Sequence, residues 1–327
     1  MAPPYNSETT ATEVANDLSS KIRGKTILTT GVTPNSLGSQ FVETLASHSP
    51  ALLILASRTQ EAIDATTAAI RQKNPDVPIR SVLIDLGSLA SVRAGASQVI
   101  QMQKEEGIVI DVLMLNAGIM ACPYGTTVDG FERQFGICHL GHFVFGNMII
   151  PGMLGPNRKP RVVVVSSEAH QLGPVRFPDV GFTGGQEYDR FRAYGQAKTA
   201  NNLYAWSLAE KLGPKGLQAY SLHPGGIFTN LARYMDVARD VQEMRNVGSP
   251  MGFPEYIQKS KIKNHDQGTA THIVAAFADY LEKDNGKYLL DGNIASWDMV
   301  SPWARNTYDA ERLWKLSEEL VGEKFDL

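Results

Sequence analysis

Residues 25–38 read KTILTTGVTPNSLG, and the reading of that stretch decides the architecture. Residues 25–30 (KTILTT) form a short apolar and β-branched run, the signature of a buried strand. Thr30-Gly31-Val32-Thr33-Pro34-Asn35-Ser36-Leu37-Gly38 then turns the chain and opens an amphipathic stretch. Two glycines let the backbone approach an anionic group closely, and a helix N-terminus carries partial positive charge. Ordinary turn chemistry is the plain alternative for such a loop.

The same unit repeats outward from this loop. Nearly continuous apolar runs occur at residues 51–56 (ALLILA), 79–84 (IRSVLI), 111–115 (DVLML), 161–165 (RVVVV) and 218–222 (QAYSL). Runs without polar alternation belong to parallel sheets covered on both faces. The stretches 60–72, 89–104, 130–150 and 190–212 between them are long enough for crossover helices. The expectation is an α/β fold, a doubly wound parallel sheet with right-handed crossovers. A chain of 327 residues with 43% hydrophobic content suits one domain near the upper size limit.

Residues 1–20 read as an N-terminal extension, 21–229 as the core, 230–266 as a C-terminal substrate lid and 267–327 as the end of the core. Thr10 and Glu13 have capping-box spacing, which predicts a short helix over about 12–21. The lid segment is rich in Met, Tyr and Phe but broken by Gly248-Ser249-Pro250 and Gly252-Phe253-Pro254. It follows a parallel strand, where ligands bind in such sheets; a helical hairpin packed on the surface is the alternative. A last helix is expected around 309–321.

Composition excludes several classes. A net charge of −3 does not favour a nucleic-acid partner. The only two cysteines, Cys122 and Cys138, rule out a disulfide framework and a thiolate zinc site. The first twenty residues resemble neither a signal peptide nor a membrane span, so a cytoplasmic protein without a membrane span is expected. His139 and His142 lack a nearby third ligand and read as structural, with no metal expected. His170 and His223 are candidates for lining a pocket.

Side chains at the carboxyl ends of the strands carry the functional reading. Arg58 follows the second strand, where NAD enzymes place an acid on the ribose hydroxyl. No acid lies between Ala51 and Gln60, and Glu61 comes too late. Arginine there suits a 2′-phosphate and so NADP(H). Asp85-Leu86 is placed to hold adenine, and Asn116-Ala117-Gly118 to let the adenosine ribose approach. Tyr194 and Lys198 are four apart, one helical turn; an ammonium beside a phenol lowers its pKa from about 10 and fits it for acid/base work. Ser166-Ser167 ends a strand where a hydroxyl bonds a developing alkoxide. Pro224, Gly225 and Ile227 expose backbone suited to a nicotinamide carboxamide, and Thr229 suits carboxamide or pyrophosphate. Each element alone also reads as a cap, a turn or a surface pair.

Their order resembles the short-chain dehydrogenase/reductase family over nearly all of residues 20–322. The stretch 116–143 (NAGIMACPYGTTVDGFERQFGICHLGHF) is similar to the retinol dehydrogenase and WW-domain-oxidoreductase branch, as are residues 267–271, 286–289 and 312–317. The resemblance implies a Rossmann-type fold, a nicotinamide cofactor and hydride exchange between an alcohol and a carbonyl. It implies that Tyr194 is the acid/base, that Lys198 tunes it and holds the nicotinamide ribose, and that Ser167 positions the substrate oxygen. It also implies helices 130–150 and 190–212 pairing into homo-oligomers. The loop form TGVTPNSLG resembles fungal reductases, some of them in secondary metabolism. Membrane-bound members of the branch carry an N-terminal segment that these residues lack.

Three departures bear on the site, the first being Leu115-Asn116-Ala117-Gly118 where the family has Asn-Asn-Ala-Gly, which retains the second asparagine. The glycine loop has one residue more than TGxxxGxG, with Ser36 where a glycine belongs and Asn35 tolerant of the left-handed conformation. Cys138 stands where the branch has the asparagine that completes a catalytic tetrad, which predicts a weakened proton relay. The resemblance leaves two rivals: an NADP(H)-binding isomerase or cyclase, and a catalytically silent NADP(H)-binding protein. Tyr234, Met235, Met244, Met251, Phe253 and Tyr256 point to a sizeable, mainly apolar small-molecule substrate.

Overall fold

The computed structural model describes residues 5–253 and 262–327. The six runs read from the sequence are strands: β1 (Thr26–Thr30), β2 (Leu52–Ser57), β3 (Ile79–Leu83), β4 (Val112–Leu115), β5 (Arg161–Val165) and β6 (Gln218–His223). Four short strands escaped that reading: β7 (Gly226–Ile227), β8 (Ile262–Lys263), β9 (Tyr288–Leu290) and β10 (Asn293–Ile294). They are two or three residues long, too short to carry a periodicity. The main sheet runs β10-β9-β6-β5-β4-β1-β2-β3, and β7 pairs with β8 apart from it. Only β10 is antiparallel to its neighbour.

The helices are α1 (Ala11–Asp17), α2 (Ser19–Ile22), α3 (Leu37–Ala46), α4 (Gln60–Lys73), α5 (Leu89–Glu105), α6 (Arg133–Phe135), α7 (Gly141–Ile149), α8 (Arg190–Leu212), α9 (Val237–Gly248), α10 (His265–Phe277) and α11 (Thr307–Val321). Thr10 and Glu13 form the expected capping box, but the helix breaks at Leu18. The expected helix over 130–150 starts later, at Arg133, and passes through a π-helical turn, Gly136–Leu140, before α7. Such bulges shift side-chain direction along a helix and concentrate at functional sites; Cys138 lies inside this one.

Each buried strand serves two cores. Leu28, Leu113, Val162 and Val164 face a layer with α5, α7, α8 and α11. Ile27, Val112, Met114 and Val163 face the other, with α1, α3, α4 and α10. A period of two inside a continuous apolar run is what a two-sided sheet requires. The chain moves outward through β1, β2 and β3, then returns to β4 on the other side of β1. Their carboxyl ends therefore part at the switch point, where a crevice forms. The chain is a single α/β domain, Rossmann-like, with a mostly parallel central sheet.

Candidate active site

A cleft of about 740 Å³ opens at that switch point. Sixteen expected site residues line it, entering from six strand ends and α8. Gly31, Ser36, Leu37 and Arg58 come from the ends of β1 and β2; Asp85, Leu86, Asn116, Ala117 and Gly118 come from β3 and β4. Ser167, Tyr194 and Lys198 occupy the centre, and Pro224, Gly225, Ile227 and Thr229 the far wall. Asn35, Gly38 and Cys138 are not on the lining, so their roles are indirect.

The glycine loop is built from close approaches. Asn35 adopts φ 61°, the left-handed conformation its side chain tolerates. Ser36 caps α3, accepting from the Ser39 N–H and donating to the Gly31 carbonyl (3.0 Å). A Cβ on Gly38 would meet the Gly31 carbonyl at 2.4 Å, and one on Gly31 (φ +77°) would meet the Ala117 Cα at 2.8 Å. Gly38 thus holds the loop against α3, whose first N–H groups have no partner within the helix and whose first residue, Leu37, lines the cleft. That cradle fits a dinucleotide pyrophosphate.

Thr30 ties the loop to β4. Its hydroxyl accepts from the N–H groups of Asn116 (2.9 Å) and Ala117 (3.1 Å). His142 contacts the Cys138 carbonyl through Nδ1 (3.2 Å) and Thr30 Oγ1 through Nε2 (3.0 Å). A carbonyl only accepts, so Nδ1 carries the proton and Nε2 accepts the Thr30 hydroxyl hydrogen. Burial lowers the His142 pKa to about 4, which keeps the ring neutral. Asn116 Nδ2 donates to the Thr30 carbonyl (2.9 Å), so this expected cofactor residue is also a strut. Asp85 likewise serves its own turn, accepting from the Gly87 N–H (2.9 Å).

At the centre, Tyr194 and Lys198 are 4% and 3% exposed. The expected acidic phenol is not found. Burial pushes the Tyr194 pKa up, with Cys138 adding and the Ser167 hydrogen bond opposing. The Lys198 ammonium lies over the face of the ring, 5.5 Å from its centroid, and donates to the Val165 carbonyl (2.9 Å). Burial lowers its own pKa. Desolvation of the phenol therefore outweighs a cation that faces the ring instead of its oxygen. Cys138 is fully buried behind Gly118, its Sγ donating to the Ile119 carbonyl (3.4 Å) and accepting from the Ile119 N–H (3.5 Å).

His139 bonds Ser317 (2.8 Å), and no metal-holding cluster occurs among the described residues. His223 lines the cleft, whereas His170 does not. His170 accepts the Ser301 N–H at Nε2 and so donates from Nδ1 to the Ser167 carbonyl (2.8 Å), which fixes the Ser167 backbone. Glu168 lines the cleft as well, a residue the sequence reading passed over because no spacing marks it.

Helix α9 packs against the cleft. Met244 and Val247 join Ala169, Leu172, Phe191 and Tyr194 in an apolar cluster, with Met235 and Phe253 against it. Met244, Met235 and Tyr234 line the cleft; Met251 is half-buried beyond it, and Tyr256 lies outside the described residues. Arg190 at the start of α8 pairs with Asp240 (2.6 Å) and Glu243 (2.6 Å) of α9.

Comparison with known proteins agrees with this geometry. The short chain dehydrogenase family matches residues 25–179. Mouse retinol dehydrogenase 12 is 34% identical over 94% of this chain and 89% of its own. An uncharacterised protein from Mycobacterium paratuberculosis aligns with a TM-score of 0.69 and 29% identity, over 96% of this chain and 98% of its own. A short-chain dehydrogenase from Burkholderia cenocepacia, solved with NADP, shares the fold at a TM-score of 0.61 and 20% identity, over 84% of this chain and 98% of its own. The chain belongs to the short-chain dehydrogenase/reductase family of nicotinamide-dependent oxidoreductases that act on alcohol and carbonyl groups.

Proposed function

We propose that the chain is an NADP(H)-dependent oxidoreductase that interconverts a carbonyl and an alcohol on a sizeable, mainly apolar small molecule. The observation that carries this reading is Tyr194 buried beside Ser167 and Lys198 in the cleft whose other end holds the glycine loop and Arg58.

The loop and the N-terminus of α3 would receive the pyrophosphate, Arg58 a ribose 2′-phosphate, Asp85 and Leu86 the adenine, and Ala117 and Gly118 the adenosine ribose. Lys198 and Tyr194 would hold the nicotinamide ribose, and the backbone of Pro224–Thr229 the carboxamide. When bound, a reduced nicotinamide would supply the hydride to the carbonyl carbon. Tyr194 gives its hydroxyl proton to the carbonyl oxygen, completing the alcohol. The Ser167 hydroxyl bonds that oxygen as charge gathers on it, a stabilisation confined to the transition state. Lys198 then lies against the ring of the phenolate as a neighbouring positive charge, which opposes part of the cost of its burial. Apolar side chains of α9 exclude water from the substrate end.

Arg58 is exposed and makes no ion pair among the described residues, so it is free to meet a phosphate. Titration of NADPH and NADH against wild type and Arg58→Ala tests the cofactor. A charge-assisted phosphate contact contributes about 1.5–3 kcal/mol, so the variant should bind NADPH at least tenfold more weakly and NADH almost as wild type. Equal affinity of wild type for both would overturn the assignment.

A further inference from the structure

One carboxylate and one imidazole face each other on the lining of the cleft. Glu168 follows Ser167 directly, and its carboxylate lies 3.9 Å from His223 Nε2. That separation is too long for a hydrogen bond. It is not a charged pair either: burial, with Lys263, His170 and Lys198 adding, lowers the His223 pKa to about 3. The imidazole is therefore neutral. Its Nδ1 is buried with no hydrogen-bond partner, and an orphaned lone pair costs less than an orphaned N–H. The proton accordingly sits on Nε2, directed at the cleft. A carboxylate accepts at about four lone-pair positions, so Glu168 keeps acceptor capacity whatever else it touches.

We infer that Glu168 and His223 form a hydroxyl-recognition subsite, and that the substrate is a hydroxylated carbonyl compound bearing an alcohol near the reacting carbon. One hydroxyl set about 2.8 Å from each group accepts from His223 Nε2 and donates to Glu168. Among the described residues lining the cleft, Asp85 is the other acid, and it stands at the β3 end, where adenine is expected. Sites that hydrogen-bond a substrate hydroxyl reject analogues lacking it far more strongly than apolar pockets reject an extra group.

This inference rests on the proposed carbonyl reduction, and one assay separates the two. Benzoin and deoxybenzoin are aryl ketones that differ by a single hydroxyl beside the carbonyl. Reduction of each with NADPH is measured for wild type, Glu168→Leu and Glu168→Gln. The hydroxyl alters intrinsic reactivity equally for every variant, so the change in the ratio of kcat/KM is decisive. The ratio of benzoin to deoxybenzoin should fall at least tenfold in Glu168→Leu and by an intermediate factor in Glu168→Gln, which keeps size and some hydrogen bonding. A ratio that stays within about twofold of wild type in both variants overturns the subsite. Loss of both activities in Tyr194→Phe supports the underlying reaction whichever way the ratio moves.

Discussion

At the residue scale, the site depends on side chains that act on one another before they act on a ligand. Thr30 is the clearest case: one hydroxyl serves two backbone N–H groups and one imidazole. Thr30→Val keeps the shape and strands all three, and each buried unsatisfied group costs about 1–3 kcal/mol. Urea unfolding should show a loss in that range or above it, with weaker cofactor binding; an unchanged midpoint would remove the strut. Cys138 is a second case. Its reciprocal pair with Ile119 can be made by an asparagine carboxamide, which donates and accepts more strongly than a thiol. Cys138→Asn should therefore leave reduction rates unchanged or raise them, whereas a large loss would show that the thiol has its own task. Sequence spacing showed that Tyr194 and Lys198 share a helical face. It did not show that the ammonium meets the ring face or that burial raises the phenol, because desolvation depends on everything packed around it.

At the element scale, α9 is held by charge as well as by apolar contact. Burial raises the Asp240 pKa, but Arg190, the Asp236 N–H and Arg239 together hold it below the ordinary carboxylate value. A depressed folded pKa means the stabilisation is present in full above about pH 4, the unfolded value. It is lost as pH falls through the lower folded value. Asp240→Asn imitates that loss at neutral pH. Hydrogen exchange of the α9 amides should quicken at least tenfold while α8 stays protected; unaltered exchange would mean apolar contact alone holds α9. The major strands and long helices were legible because each carries its own periodicity. The π-helical turn was not: no periodicity marks it, and Cys138 within it and His142 just after it bond Ile119 and Thr30, residues distant in the sequence.

At the scale of the whole molecule, the C-terminal residues pack on the two helices that the family resemblance assigned to pairing. α11 lies along α8, with Trp314 against Phe143 (5.0 Å) and Phe325 against the same ring (5.5 Å). Ser317 bonds His139, and Lys211 bonds Glu311. Trp314→Ala removes a large buried anchor and should cost about 3–5 kcal/mol in denaturant unfolding; a cost under 1 kcal/mol would show that the face needs no cover. The central claim is that a single cleft joins a dinucleotide cradle to a phenol that protonates the substrate oxygen. Its most direct test is Tyr194→Phe, followed by NADPH titration and by single-turnover reduction of deoxybenzoin. The account predicts NADPH affinity within a few-fold of wild type and a hydride-transfer rate lower by about 10²–10⁴-fold. Hydride transfer at the wild-type rate in a variant that still binds NADPH would contradict it.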